Sequence, residues 1–441
     1  MKNVITAASF NRYYTEGKID VVWLDTNNNV ILEPNIPVLT KKDGETTYGL
    51  TAVEYDSTQT DYWKEADTSK EWYKYIEQTS KIGDSVQGIS RWANARAKDG
   101  SLFVWIPRYA YKITYYDKKG NEIGYSTNEG IIDSKGNIID ATDSTYAQNE
   151  KVKTAGYTDY IVHPAFTTDA ANGGGWESEL SGLWFGKFEA KNNSGSVQVV
   201  AKESSWGSLH INQMYNYGQT ATYGGSNDSN NILQSHMVKN SEWGAVAYLA
   251  HSQYGLKGGK VMKNESSSYY TGGSDTIATV YGANVYQSTT HNPYGIYDLN
   301  GGAAEYVASY VNNGHTNLSD NGNYNSGTLT YSLYGSTDTE KSTSTKFKTV
   351  YPSTVSDGGS AQSEDYSKSS NMRGDAVYET SKTYSDSTGA WYSAYSYFPN
   401  ERCPFFHRGS HCNDSTPGLF YSGGGDGYNS SNIGFRVDLA F

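Results

Sequence analysis

The chain has 441 residues, 35 Lys and Arg against 47 Asp and Glu, a formal net charge of −12, 40 Tyr, 46 Gly and 2 Cys. An acidic chain without a basic stripe excludes nucleic acid as a partner. Two cysteines make no disulfide framework, and no apolar run reaches the ~18 residues of a spanning helix, so no membrane insertion is expected. The length admits two or three domains, or one large elaborated one.

The opening stretch, MKNVITAASFNRYYTEGKID, is too polar after Ala8 for a secretory signal. Any extracellular role would then depend on lysis or on a particle. Residues 1–48 read as a small β unit in which 19–25 and 29–34 flank a hairpin turn at Thr26-Asn27-Asn28. Asp25, Asn27, Asn29 and Glu33 imitate part of a calcium loop, but the Gly and the twelfth-position Glu of such a loop are missing, so a turn is expected. Trp63, Trp72, Tyr73, Tyr75 and Trp92 stand among charged residues, a pattern of aromatic packing on short elements, with 91–100 a short helix closed by Gly100. The strongest strand signal is SLFVWIPRYAYKITYYD at 101–117, followed by two similar hairpin turns at 117–121 and 133–137 that form an antiparallel arm.

Residues 182–193 read as a strand carrying Trp184 and Phe188, and 207–234 as polar loop. In 235–255 the residues Trp243, Val246, Ala247, Ala250 and Tyr254 fall on a single helical face. Asn240 or Ser241 is the expected cap of that helix and Gly255 its end. Residues 256–290 are loop-rich, and 292–313 pair a tight turn with an aromatic-rich element. The stretch 314–390 is dominated by Ser, Thr, Tyr, Gly, Asp and Asn, a composition that in a compact domain is functional or mobile.

The last forty residues organise the reading. Pro404, Phe405 and Phe406 begin them, and Ile433, Phe435, Val437 and Leu439 end them, alternating with Gly434, Arg436 and Asp438 as a half-buried strand does. Between lies a polar run with Leu419 and Phe420 as its apolar members, suited to a surface held on a scaffold. Tyr, Ser, Gly and Asn in such a run supply contact area and adaptable hydrogen bonding, although Tyr is also a good strand former.

The order WFGKFEAKNN, KNSEWGAVAYLAHSQYG, NPYGIYDLNGGAAEYV, RGS and GFRVDLAF, over about 182–441, resembles the formylglycine-generating-enzyme-like branch of the C-type lectin fold. The frame FFHRGS…GLFYSGGG…NSSNIGFRVDLAF is also similar to the end of the variable proteins of diversity-generating retroelements, among them a phage tail-fibre tip. Ala304 stands where the family usually has Trp. The resemblance implies an α+β, C-type lectin-like fold, loop-rich, with short antiparallel strands and few helices, preceded by a β-rich N-terminal region. It implies a Glu-Trp helix and a second helix after the YGIYD turn. The expected division is an attachment or oligomerisation segment at 1–48, a β-rich arm or first part of the lectin-like domain at 49–181, and a ligand-binding domain at 182–441. That domain would carry an insertion at 314–397 and a candidate variable region at 403–432.

Enzymes of that family use two cysteines bound to copper. Cys403 and Cys412, with His407 and His411 near them, lie in the right region, and thiolates suit Cu(I). Only Cys412 follows the RGS turn, however, whereas both family cysteines do. No catalytic residue is assigned, and no P-loop, GxGxxG or Ser-His-Asp order is present. The resemblance to the retroelement proteins implies randomised Asn-type codons, which draw on residues such as Asn, Asp, Ser, Tyr, His, Cys, Gly and Phe, and residues 403–432 contain no Lys, Glu, Gln or Met. The expected ligand-binding residues are His407, Ser410, His411, Cys412, Asn413, Asp414, Tyr421, Ser422, Asp426, Tyr428 and Asn429, with glycines 423–425 letting a partner approach. The expected scaffold is Arg408, Gly409, Trp243, Glu242, Asp298, Glu305, Phe435 and Arg436, with Arg tying loops through its donors. The reading is a non-enzymatic receptor-binding or virion surface protein of a phage or prophage. Its partners would be a host cell-surface receptor, protein or glycan, and other virion proteins through the N-terminal region, with the chain a homo-oligomer, a trimer by resemblance. No cofactor is expected, a structural calcium being left open. The alternatives are a copper oxidase and a structural virion decoration or cell-surface protein.

Overall fold

The computed structural model describes residues 14–79, 90–117, 121–127, 130–133, 137–141, 148–224, 231–273, 284–325 and 329–441. Residues 1–13 of the expected attachment segment and the tips of the two arm turns lie outside the described residues. Three larger sheets and a few short helices make an α+β, loop-rich architecture. Among the described residues no helix is long and apolar enough to cross a membrane.

The first sheet is antiparallel and built on Tyr109–Asp117, which pairs with Tyr14–Trp23, with Glu122–Thr127 and with Ile161–Val162. Its arm continues through Gly130–Asp133 and Ile138–Ala141. The arm turns close locally, because the carboxylates of Asp117 and Asp133 each accept the amide four residues on, both at 2.9 Å. The Asp25 carboxylate likewise accepts the Asn27 and Asn29 amides at 2.8 Å, and Asn28 takes a φ of 62°, so this segment is a turn.

The second sheet has the order His236–Met237, Val437–Leu439, Gly182–Gly186, Leu102–Pro107, Asn94–Arg96, Thr51–Tyr55, Trp63–Glu65. Here 91–100 departs from the expected helix. Asn94–Arg96 is a strand in register with Leu102–Val104, and Gly100 sits in the tight return at φ 90°. Burial of Trp92, Ala93 and Ala95 against that sheet outweighs the helix preference of its alanines.

The third sheet runs Thr349–Tyr351, Ala304–Val311, Phe405–Arg408, Ser422–Gly425, Ser396–Tyr397, Ser385–Asp386, with Ile433–Phe435 also paired to Ala304–Val311. Ala304–Val311 is therefore a strand, where the resemblance implied a helix after the YGIYD turn. All eight of its residues are buried, as a strand covered on both faces requires. The C-terminal segment belongs to two sheets in turn. Ile433–Phe435 lies in the third, Val437–Leu439 in the second, and Arg436 stands at the crossing. Residues 434–440 are buried on both faces, so the expected half-buried strand is fully enclosed.

The helix Asn240–His251 is also buried on every side, against the expected single face. Its polar residues make this possible: the Asn240 amide donates to Tyr351 Oη, Ser241 Oγ donates to the Gly173 carbonyl, and His251 Nε2 meets the Gly17 carbonyl at 2.7 Å. Residues near Gly374 cross the helix at Gly244, where a Cβ would run into the Gly374 carbonyl. The helix starts after Lys239, whose amide donates to the Glu242 carboxylate at 2.8 Å, and it ends at His251, before Gly255. The stretch 207–234, expected as loop, contains the helix Ile211–Thr220. Its asparagines bind neighbouring chain, Asn212 through the Leu333 amide and Tyr324 carbonyl, Asn216 through the Thr330 and Tyr331 amides. The described residues of 314–397 hold three short α-helices and three single-turn 3-10 helices and contribute Tyr351, Asp375, Tyr378 and Glu379 to the interior.

Candidate functional site

The candidate segment begins with an antiparallel ladder, Phe405–Arg408 against Ser422–Gly425, with His407 opposite Gly423 and Arg408 opposite Ser422. The glycines here answer an internal demand. A Cβ on Gly423 would strike the His407 ring, and one on Gly425 would lie 2.6 Å from the Tyr306 phenol. They admit side chains of this chain, not the backbone of a partner.

Two buried arginines hold the segment. Arg408 donates from Nε to the Tyr421 carbonyl at 2.7 Å, from Nη1 to Asn240 Oδ1 and the Asp375 carbonyl, and from Nη2 to the Ala376 carbonyl at 2.8 Å. Its guanidinium also lies 5.6 Å from the Trp243 ring, and the Trp243 indole donates to the Leu419 carbonyl at 3.0 Å. Gly409 and Ser410 both take left-handed φ values, 76° and 65°. Arg436 grips Glu305 with two bonds, at 3.0 and 2.7 Å, and donates to the Gly186 and Tyr297 carbonyls. Phe435 is buried beside it. Asp298, itself at φ 66°, accepts the Gly272 amide at 2.9 Å and the Asn264 amide group at 2.8 Å, and so pins that loop.

Burial divides the expected ligand-binding residues. Ser410, Cys412, Tyr421 and Ser422 are buried and are removed from an exposed face. Cys412 is drawn in where its backbone N–H donates to the Gly302 carbonyl at 2.9 Å. Ser422 is a ladder residue, and Tyr421 packs its ring against Tyr395 and His407. His407 is partly exposed as a residue, but its Nδ1 is buried, and burial pushes the imidazole down to about 4. His411, Asp414, Asn413, Asp426, Tyr428 and Asn429 remain at least partly open to solvent.

These six form two groups beyond opposite ends of the ladder, whose four residues span about 10 Å. Past Arg408, His411 Nε2 sits 3.2 Å from Asp414 Oδ1, and the same loop folds on itself through Asp414 Oδ2 and the His411 amide. Past Gly425, the Asp426 carboxylate accepts the Tyr428 amide at 2.9 Å. Tyr428, 55 % exposed, stands edge-on to His210, which stacks on Tyr324 at 3.7 Å. This loop is fixed from below by the Asn321 amide group on the Asp426 carbonyl and by the Ile211 amide on the Gly427 carbonyl. His210 and Tyr324 escaped the sequence reading because both lie far from the segment in the chain.

The two cysteines do not converge. Cys403 packs its Cβ toward Gly424, while Cys412 is tied to Gly302, and burial pushes the Cys403 thiol up, away from thiolate. Among the described residues, the one group of three or more His, Cys, Asp or Glu side chains close enough to share an ion is His236, Glu242 and Asp438. No protein-family model matches the chain, and no curated protein is significantly similar to it.

Proposed function

We propose that this chain is a non-enzymatic ligand-binding protein of a C-type lectin-like fold, carried on a phage or prophage particle and presenting two loop groups to a host cell-surface receptor. One observation carries the reading. Asn413, Tyr428 and Asn429 project from loops whose backbones are held by the Gly302 carbonyl, the Ile211 amide and the Asn321 side chain, so these side chains vary at little cost to the fold, while His411, Asp414 and Asp426 beside them also close their own turns. An exposed Tyr beside a His–Tyr stack suits recognition by aromatic contact and directional hydrogen bonds. Ile36, 78 % exposed, lines a pocket with Pro34, Pro37, Trp72 and Tyr73 and with the charged Glu33 and Lys74, and Leu32, 95 % exposed, precedes Glu33 in the chain. The exposed Leu32 and Ile36 support the N-terminal part as the face toward other virion proteins or further copies of the chain, and display of several copies raises avidity without new contacts.

The test replaces His411, Asn413, Asp414, Asp426 and Tyr428 together by Ala. Binding to intact cells of the bacterium that carries the gene should fall at least about tenfold while Tm shifts by less than about 2 °C. Unchanged binding by the folded variant places the ligand surface elsewhere and refutes the proposal.

A further inference from the structure

We propose that His236, Glu242 and Asp438 form a buried structural site for a first-row divalent cation of the zinc type. The ligand atoms of the three residues lie within 4.8 Å of one another, and all three side chains are fully enclosed. They arrive from three elements. His236 and Asp438 are direct partners across the ladder between His236–Met237 and Val437–Leu439, and Glu242 comes from the first turn of the helix Asn240–His251.

Two features point to a cation among these three side chains. First, His236 Nδ1 lies 2.6 Å from the Gln234 carbonyl, which can only accept, so Nδ1 carries the proton. In the neutral ring Nε2 is then a bare lone pair, yet it faces Glu242 Oε1 at 3.0 Å. Two acceptors at that distance need a cation between them or a proton on the ring. Second, both carboxylate oxygens of Asp438 are buried without a hydrogen bond of good geometry, with the Gly186 amide the nearby backbone donor. A buried carboxylate left this way is costly unless something positive meets it. Lys239 lies 3.5 Å from Glu242 but donates to the Gly173 and Gly174 carbonyls, and Arg436, the other cation acting on Asp438, is committed to Glu305 and to the Gly186 and Tyr297 carbonyls. One imidazole and two carboxylates, one of them able to bind through both oxygens, can supply the four donors that zinc and its first-row neighbours take, whereas calcium takes six to eight oxygens. A metal there would bind the C-terminal strand to the helix and to His236 in one step.

The untagged full chain is purified without chelator, dialysed, and its metal measured by mass spectrometry. It should hold about one equivalent of zinc or a first-row neighbour, and D438N and H236Q below about a tenth. Cobalt(II) added to chelator-stripped protein should produce a visible d–d band that D438N lacks, and stripping should lower Tm by roughly 5 °C in the wild type but not in D438N. Should a variant fail to fold, the wild-type metal content and cobalt spectrum decide alone. Less than about a tenth of an equivalent in wild type, both as purified and after incubation with zinc or cobalt, overturns the site. So does a protonated Nε2 on His236 in nitrogen-15 NMR of the metal-incubated protein, since a proton would then occupy the gap.

Discussion

Arg436→Met should be among the most damaging single substitutions in this chain. The guanidinium is fully buried and donates to both Glu305 oxygens and to the carbonyls of Gly186 and Tyr297. Methionine fills much of the stem volume but leaves a buried carboxylate and two carbonyls without these donors. Removing one partner of a buried ion pair costs about 3–5 kcal/mol. With an unfolding entropy of about 2.1 cal/mol/K per residue, 441 residues give roughly 0.9 kcal/mol/K, so a cost of about 4 kcal/mol lowers Tm by about 4 °C if the chain unfolds as one unit. Calorimetry of the wild type, Arg436→Met, Glu305→Leu and the double variant Arg436→Met/Glu305→Leu checks this. The double variant should recover at least half of the loss, because the stranded carboxylate is gone. A shift below about 1 °C for Arg436→Met, or a double variant worse than the sum of its singles, would refute the role given to this residue.

Tyr421→Ala should destabilise by roughly 3 kcal/mol in urea unfolding, since its ring is buried against Tyr395 and His407, and a loss under about 1 kcal/mol would return it to the surface. Gly425→Ala should cost about 1–3 kcal/mol, because its Cβ would meet the Tyr306 phenol that also receives the Gly427 amide. His163, fully buried among Tyr109, Tyr111, Phe166 and Tyr248, has its imidazole pushed down to about 3 by burial. The unfolded chain therefore binds the proton more readily, and the neutral ring's contribution is full above about pH 6.5 and is lost as pH falls toward 3. In His163→Gln the slope of stability against pH between 6 and 4.5 should flatten by up to about 1.4 kcal/mol per unit, and an unchanged slope would contradict this.

Features governed by neighbours in the chain were legible without the fold. The arm turns follow from an Asp whose carboxylate reaches the amide four residues on, and the run at 101–117 carries its strand preference in its own side chains. The segment 403–432 showed itself as a polar run between apolar ends. Which of its side chains face water did not follow, because Ser410, Cys412, Tyr421 and Ser422 are enclosed by Gly302, Tyr395, His407 and the ladder, and no local pattern encodes those contacts.

Local sequence determined that 235–255 contains a helix and that 433–439 is extended. Tertiary structure decided that both are buried on every side, since the cover comes from residues as distant as Gly17 and Gly374. The alternation of Phe435, Val437 and Leu439 with Arg436 and Asp438 looks amphipathic because period two records residue type and not what lies opposite. Opposite Arg436 is Glu305, and opposite Asp438 are His236 and Glu242, side chains at least 131 residues away in the chain. Strand pairing and helix placement alone bring them together, because a charge in the interior is stable only when the fold supplies its partner.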